Sequence, residues 1–247
     1  MKLGRYYHSP QIELFENTDN EVYVKKGGMY FFSDSSLFQK ELNSSDAREI
    51  SCGPTDYIAI VLVLGSFLLI ISEITFSYYL IFNDKISTGK NDASTLFLSM
   101  GFLCINIFLH EIAHASWLRI WQRKPGNIKI RRKFIFPMIV VDTSDSYLLP
   151  RNRRLAVYAG GVMMNSWTIF LLWMIAPQYF DIVFPTISMV LYCLIPFGGI
   201  RNDGFHILFS VILKRESIKN QRSWVDIVGL VMFSVLMLYP LLVSLFR

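Results

Sequence analysis

Leu109-His110-Glu111-Ile112-Ala113-His114-Ala115 decides how this chain is read, because it sits within an apolar run, about Ala93 to Trp121, long enough to cross a bilayer as a helix. Positions four apart share a helix face, so His110 and His114 can each offer an imidazole nitrogen to one Zn²⁺. Glu111 stands beside them, placed to take a proton from water activated by such an ion. Ionisable groups are costly in hydrocarbon, and a purely structural span has no reason to carry three of them within five residues. With only four His in the chain, a chance His-Glu-x-x-His is on the order of one in several hundred. The bland alternative, polar residues facing water or a neighbouring helix, fits the burial expected here less well than metal binding does.

The surrounding composition is that of an integral membrane protein, with 53% hydrophobic residues and a mean hydropathy of +0.38. Apolar blocks predict an all-α polytopic membrane protein with about five spans, at 57–82, 93–121, 155–176, 181–213 and 224–246. Together they form a membrane domain over 57–247, preceded by a polar segment over 1–56. That segment carries nine Asp/Glu against six Lys/Arg and has no cationic start followed by an apolar core. Glu21-Val22-Tyr23-Val24 and Met29-Tyr30-Phe31-Phe32, parted by Lys25-Lys26-Gly27-Gly28, read as a hairpin, and Leu37 to Leu42 as a short helix, giving a small α+β appendage. The appendage reads equally well as a substrate grip and as a folding cap. The three cysteines are scattered, which excludes a disulfide framework or a C-x-x-C metal site and leaves them as packing residues. The net charge of +5 comes largely from two loops, as suits the cytoplasmic face of a membrane, and no nucleic-acid motif is present.

Between the second and third spans, residues 122–154 are strongly basic. Ile128-Lys129-Ile130-Arg131 and Phe134 to Val141 have strand character, with Pro137 arguing for an edge that an extended peptide could join. The third span opens Tyr158-Ala159-Gly160-Gly161, which allows close helix approach, and continues to Asn165, whose amide must find a partner. Asn165 serves either as helix-packing glue or beside the metal. Glu73, in the first span, is expected near the outer interface. The fourth apolar stretch is too long for one straight span and is broken at Ile195-Pro196-Phe197-Gly198-Gly199-Ile200-Arg201-Asn202-Asp203-Gly204-Phe205-His206. Irregular backbone at membrane depth is tolerated only where it lines a cavity or is buried in protein, so this break marks a site.

Placing the basic connections in the cytoplasm gives a multi-pass protein of the cell membrane with a cytoplasmic N-terminus. His110 and Asp203 then lie 11 and 10 residues from the inner ends of their spans, roughly 15 Å deep in each case. A catalytic zinc commonly takes three protein ligands. Asp203 is the natural third, with Gly204 permitting a tight backbone, and His206 is the other candidate, otherwise a partner to the loop or to Asp203.

His110-Glu111-x-x-His114, Ala159-Gly160 followed by Asn165, and Asn202-Asp203-Gly204 after a proline-containing break resemble the site-2 protease family of intramembrane zinc metalloproteases over roughly residues 93 to 213. Gly161 stands where that family often has proline. The resemblance implies that His110, His114 and Asp203 bind zinc, that Glu111 activates water, and that Asn165 is linked to the active site. It also implies that a peptide or transmembrane segment is cleaved while extended along the strand edge. The compact size and the absence of a recognisable accessory domain look like the bacterial branch that matures small ribosomally made peptides, which implies a precursor-peptide substrate and a peptide exporter as partner. Two other classes remain open from the residues: a membrane zinc-binding or transport protein, in which Glu111 is incidental, and a catalytically silent peptide-binding or immunity protein of the same fold.

Overall fold

The computed structural model describes residues 2–8, 12–17, 21–26, 29–34, 38, 47–82, 93–133, 136–177, 182–196, 202–208, 227–229, 231, 232 and 234. The polar N-terminal segment is a five-stranded antiparallel sheet built from β1 (Lys2–His8), β2 (Ile12–Asn17), β3 (Glu21–Lys26), β4 (Met29–Asp34) and β5 (Ala47–Ser51), in the order β4-β3-β2-β1-β5. The expected hairpin is the β3–β4 pair, while the expected helix at Leu37 to Leu42 falls, apart from Phe38, outside the described residues. The sheet corrects the all-α expectation. Alternation along each strand gives it two apolar faces. Tyr7, Leu14, Val22 and Val24 pack on one face, and Phe15 and Tyr23 pack on the other against Leu148.

Two residues after β5, the chain enters α1 (Pro54–Phe82), followed by α2 (Ala93–Ile120) and, after the connecting segment, α3 (Arg151–Ile175). These three helices are long and apolar enough to cross a membrane, and they mark the chain as a membrane protein. α3 is the central one: 61% of its most apolar window is buried, against 28% and 22% for α1 and α2. Accordingly α1 and α2 expose Val61, Leu68, Phe97 and Phe108, the pattern of surfaces that face lipid. Five spans are not seen among the described residues. The fourth apolar stretch is represented by α4 (Phe184–Leu194), too short to cross alone, and by one short helical turn from Asp203. Of the expected last span, 227–229, 231, 232 and 234 are described, all helical.

β6 (Ile128–Lys133) and β7 (Phe136–Val141) form an antiparallel hairpin between α2 and α3, as the β-branched pattern predicts, and β7 packs against α2. A 3₁₀ turn over Ser144–Leu148 then leads into α3 and carries the N-terminal sheet. Asp145 on that turn accepts hydrogen bonds from Lys25 Nζ at 2.5 Å and Tyr30 Oη at 2.6 Å. The cysteines do not share one role. Cys193 is in the core, Cys104 is exposed, and Cys52 is half-buried, so the packing expectation holds for Cys193 and is corrected for Cys104.

Candidate metal centre

α2 presents His110 and His114 one turn apart, both 4% exposed, with their rings edge to face at 4.8 Å. Burying two imidazoles on a helix whose other faces are apolar requires a neighbour that can approach closely, and α3 provides it through glycine. A Cβ on Gly161 would come within 2.5 Å of the His110 ring, and one on Gly160 within 2.5 Å of Trp117. The paired glycines are therefore the recess into which the metal-site helix fits, as their small size predicts.

The third group arrives from the break after α4. Asn202 caps the short turn by accepting from Phe205 N at 3.1 Å, and its amide nitrogen donates to Tyr192 O at 2.6 Å and Ile195 O at 2.7 Å. These bonds satisfy carbonyls that the end of α4 leaves open. Gly204 follows because a Cβ there would overlap the Leu194 carbonyl. The glycine serves close packing rather than a positive φ, which differs from the unusual backbone expected of it. So fixed, Asp203 lies with Oδ2 3.0 Å from His110 Nε2 and 3.6 Å from His114 Nε2. One ligand atom from each of the three residues lies within 4.8 Å of the others.

The donor set fits a divalent cation such as Zn²⁺. His114 Nδ1 is 2.6 Å from the Val157 carbonyl, which only accepts, so Nδ1 carries a proton, and in the neutral ring that a metal requires Nε2 offers its lone pair toward Asp203. Facing a buried carboxylate oxygen, Nε2 needs positive charge beside it, from a second ring proton or from a metal ion. His110 is held in a comparable way. Its Nδ1 lies 3.1 Å from the Asn165 carboxamide, a residue with no exposure, whose Oδ1 has no hydrogen-bond partner among the described residues. Turning that amide end for end, an isosteric change, puts the acceptor on Nδ1 and frees His110 Nε2 to ligate. Both histidines thus have a support on the ring nitrogen that a metal would not use.

Glu111, half-buried, accepts a 2.6 Å hydrogen bond from Val141 N at the end of β7. The expected strand hairpin and the expected general base are in direct contact. His206 is not among the three converging residues; it stacks on Tyr158 at 4.7 Å, whose hydroxyl accepts from Ser146. Glu73 is 8% exposed and turned against α3, where Ser166 donates to Oε2 at 2.9 Å, a bond between two of the long apolar helices. The roles of Asn202, as cap and clamp, and of Val157 went unread in the sequence. Asn followed three residues later by a helical Phe is a cap signal available in the sequence, whereas a backbone carbonyl leaves none.

The chain is similar to one curated protein that carries a functional name. This is the "Putative peptide zinc metalloprotease protein YydH" of Bacillus subtilis (strain 168), 26% identical over 118 residues, which are 45% of this chain and 46% of that protein. The chain thus matches about half the length of that relative. No protein-family model matches the chain, and no solved structure does.

Proposed function

We propose that this chain is a membrane-embedded zinc peptidase that cleaves a peptide or membrane-associated precursor close to the bilayer face bearing the N-terminal sheet. One observation carries the reading: two buried imidazole Nε2 atoms and a carboxylate oxygen converge, with the His114 proton locked away by Val157. The distant likeness to a protein named as a peptide zinc metalloprotease supports the same class. The basic connection around β6 and β7 supports a cytoplasmic sheet. A small precursor peptide as substrate and an exporter as partner complete the proposal.

Zn²⁺ held by His110, His114 and Asp203 would supply Lewis acidity to a scissile carbonyl and lower the pKa of water. The protein's own groups do the rest. Val141 N–H fixes Glu111 Oε2, leaving Oε1 to take a proton from the attacking water and return it to the leaving amine. A peptide joining the edge of β7 that β6 does not use would be extended, with its carbonyls free of helix hydrogen bonds. The same strand would then set both the substrate register and the base. Asn165 orients His110 in this scheme.

The test is Glu111→Gln in purified protein in nanodiscs, read by bound zinc and by cleavage of precursor peptides encoded nearby. Zinc retained with cleavage lowered at least ~100-fold is expected for loss of a general base, while His110→Ala and Asp203→Ala should lose zinc. Cleavage unaffected by Glu111→Gln would overturn the proposal, as would zinc flux across the bilayer without any proteolysis.

A further inference from the structure

A cleft of about 400 Å³ lies away from the metal centre, between the β1–β5 side of the sheet and the sheet-side ends of α2 and α3. Its polar wall is Arg48, Arg123 and Arg153, and its apolar wall is Ile50, Ile120 and Trp121. Strand alternation places Arg48 on the inner face of β5, while Glu49, which also borders the cleft, points to the other face, where it pairs with Arg5 at 3.9 Å. Arg123 is brought in by the end of α2. Gln122 adopts φ 57°, and the bonds Arg123 N to Leu118 O and Gln122 N to Arg119 O turn the chain back under the sheet.

The guanidinium groups are anchored without being used up. Arg123 spends Nη1 on Glu13 Oε2 and the Tyr6 hydroxyl, both at 3.0 Å, and Arg153 spends Nε and Nη2 on Asp56. Arg123 Nε and Nη2 and Arg153 Nη1 make no bond among the described residues, nor does the Arg48 guanidinium. The location narrows what can fill the site. α2 has 28 residues, roughly 42 Å of helix against about 30 Å of hydrocarbon, long enough for its last turn to reach the headgroup layer.

We propose that this cleft binds the phosphate headgroup of an anionic phospholipid from the leaflet on the sheet side, with Arg48, Arg123 and Arg153 as donors. Ile120, 51% exposed, starts the apolar surface along which the acyl chains would run. The lipid bridges sheet and helices, giving the peptidase a lipid-composition dependence that its metal site does not require. The proposal stands apart from the catalytic reading.

Native mass spectrometry of the full chain, titrated with phosphatidylglycerol or phosphatidylcholine, tests it. One phosphatidylglycerol is expected to be retained at least ~10-fold more tightly than phosphatidylcholine. Arg48→Ala should lower that retention by about tenfold, and because Arg48 is exposed its loss leaves the packing intact. Equal retention of the two lipids, or unchanged retention by Arg48→Ala, overturns the proposal. Displacement of phosphatidylglycerol by equimolar inorganic phosphate or by an acidic peptide would overturn it as well, by assigning the cleft to another ligand.

Discussion

At the scale of single residues, the candidate metal centre depends on an atom that is missing. Gly161 has no Cβ, and the His110 ring occupies that space, 2.5 Å from where the carbon would be. Gly161→Ala must therefore push the imidazole or spread α2 from α3, and the ring cannot yield freely because Asn165 holds its other nitrogen. Zinc affinity in this variant is expected to fall about 10- to 100-fold, as for loss of a group that orients a metal ligand. Competition with a chromophoric chelator measures it. Gly65→Ala is the control: nothing lies within 4 Å of its added methyl, so it should leave zinc binding unchanged. The convergence of His110, His114 and Asp203 was legible because ionisable residues in apolar sequence have few explanations, and the glycine pair was legible as a close approach. Which side chain fills the recess was not, because helix rotation is set by packing of the whole bundle.

At the scale of elements, the broken stretch after α4 carries Asp203, and Asn202 makes the break tolerable. Its amide satisfies two carbonyls at the end of α4, and its oxygen caps the turn that begins with Asp203. Asn202→Ala removes all three bonds and leaves buried carbonyls unpaired, a loss of about 2–4 kcal/mol. A lower melting temperature together with weakened zinc binding is the expected outcome, read by thermal unfolding with and without zinc. Normal zinc affinity in a destabilised Asn202→Ala would show that Asp203 does not depend on this cap. Proline and glycines announced the break in the sequence. The hydrogen bonds that repair it join residues seven and ten apart along an irregular path, which no periodicity encodes.

At the scale of the whole molecule, the sheet is fastened to the segment joining β7 to α3. The β3–β4 hairpin announced itself through Gly27-Gly28, whereas the turn signals Ser9-Pro10 after β1 and Asn17-Thr18-Asp19-Asn20 after β2 went unread, and β5 has only its pairing with β1 to mark it. The clasp is Asp145 with Lys25 and Tyr30, four residues beyond Val141, whose N–H holds Glu111. Burial works against the Asp145 carboxylate, but the hydrogen bonds from Lys25 and Tyr30 outweigh it and hold its pKa below the usual range. Burial and the bond to Asp145 push Tyr30 up to about 12, and Lys25, although disfavoured by burial, is raised through its bonds to Asp145 and Tyr30. The depressed carboxylate stabilises docking above its unfolded value of about 4, and this contribution is lost as pH falls through its lower folded value. The two raised groups act in the opposite sense: their contribution is complete below about pH 10 and is lost as pH rises through their folded values. Docking should therefore be flat from about pH 5 to 9 and weaken on either side. Hydrogen exchange of the β3 and β4 amides, followed across that range, reads it. Asp145→Asn should raise exchange throughout the plateau and remove the acid-side step, since no carboxylate remains there to protonate. If the sheet of Asp145→Asn is as protected at pH 7 as that of the unmodified chain, the clasp is not what holds it.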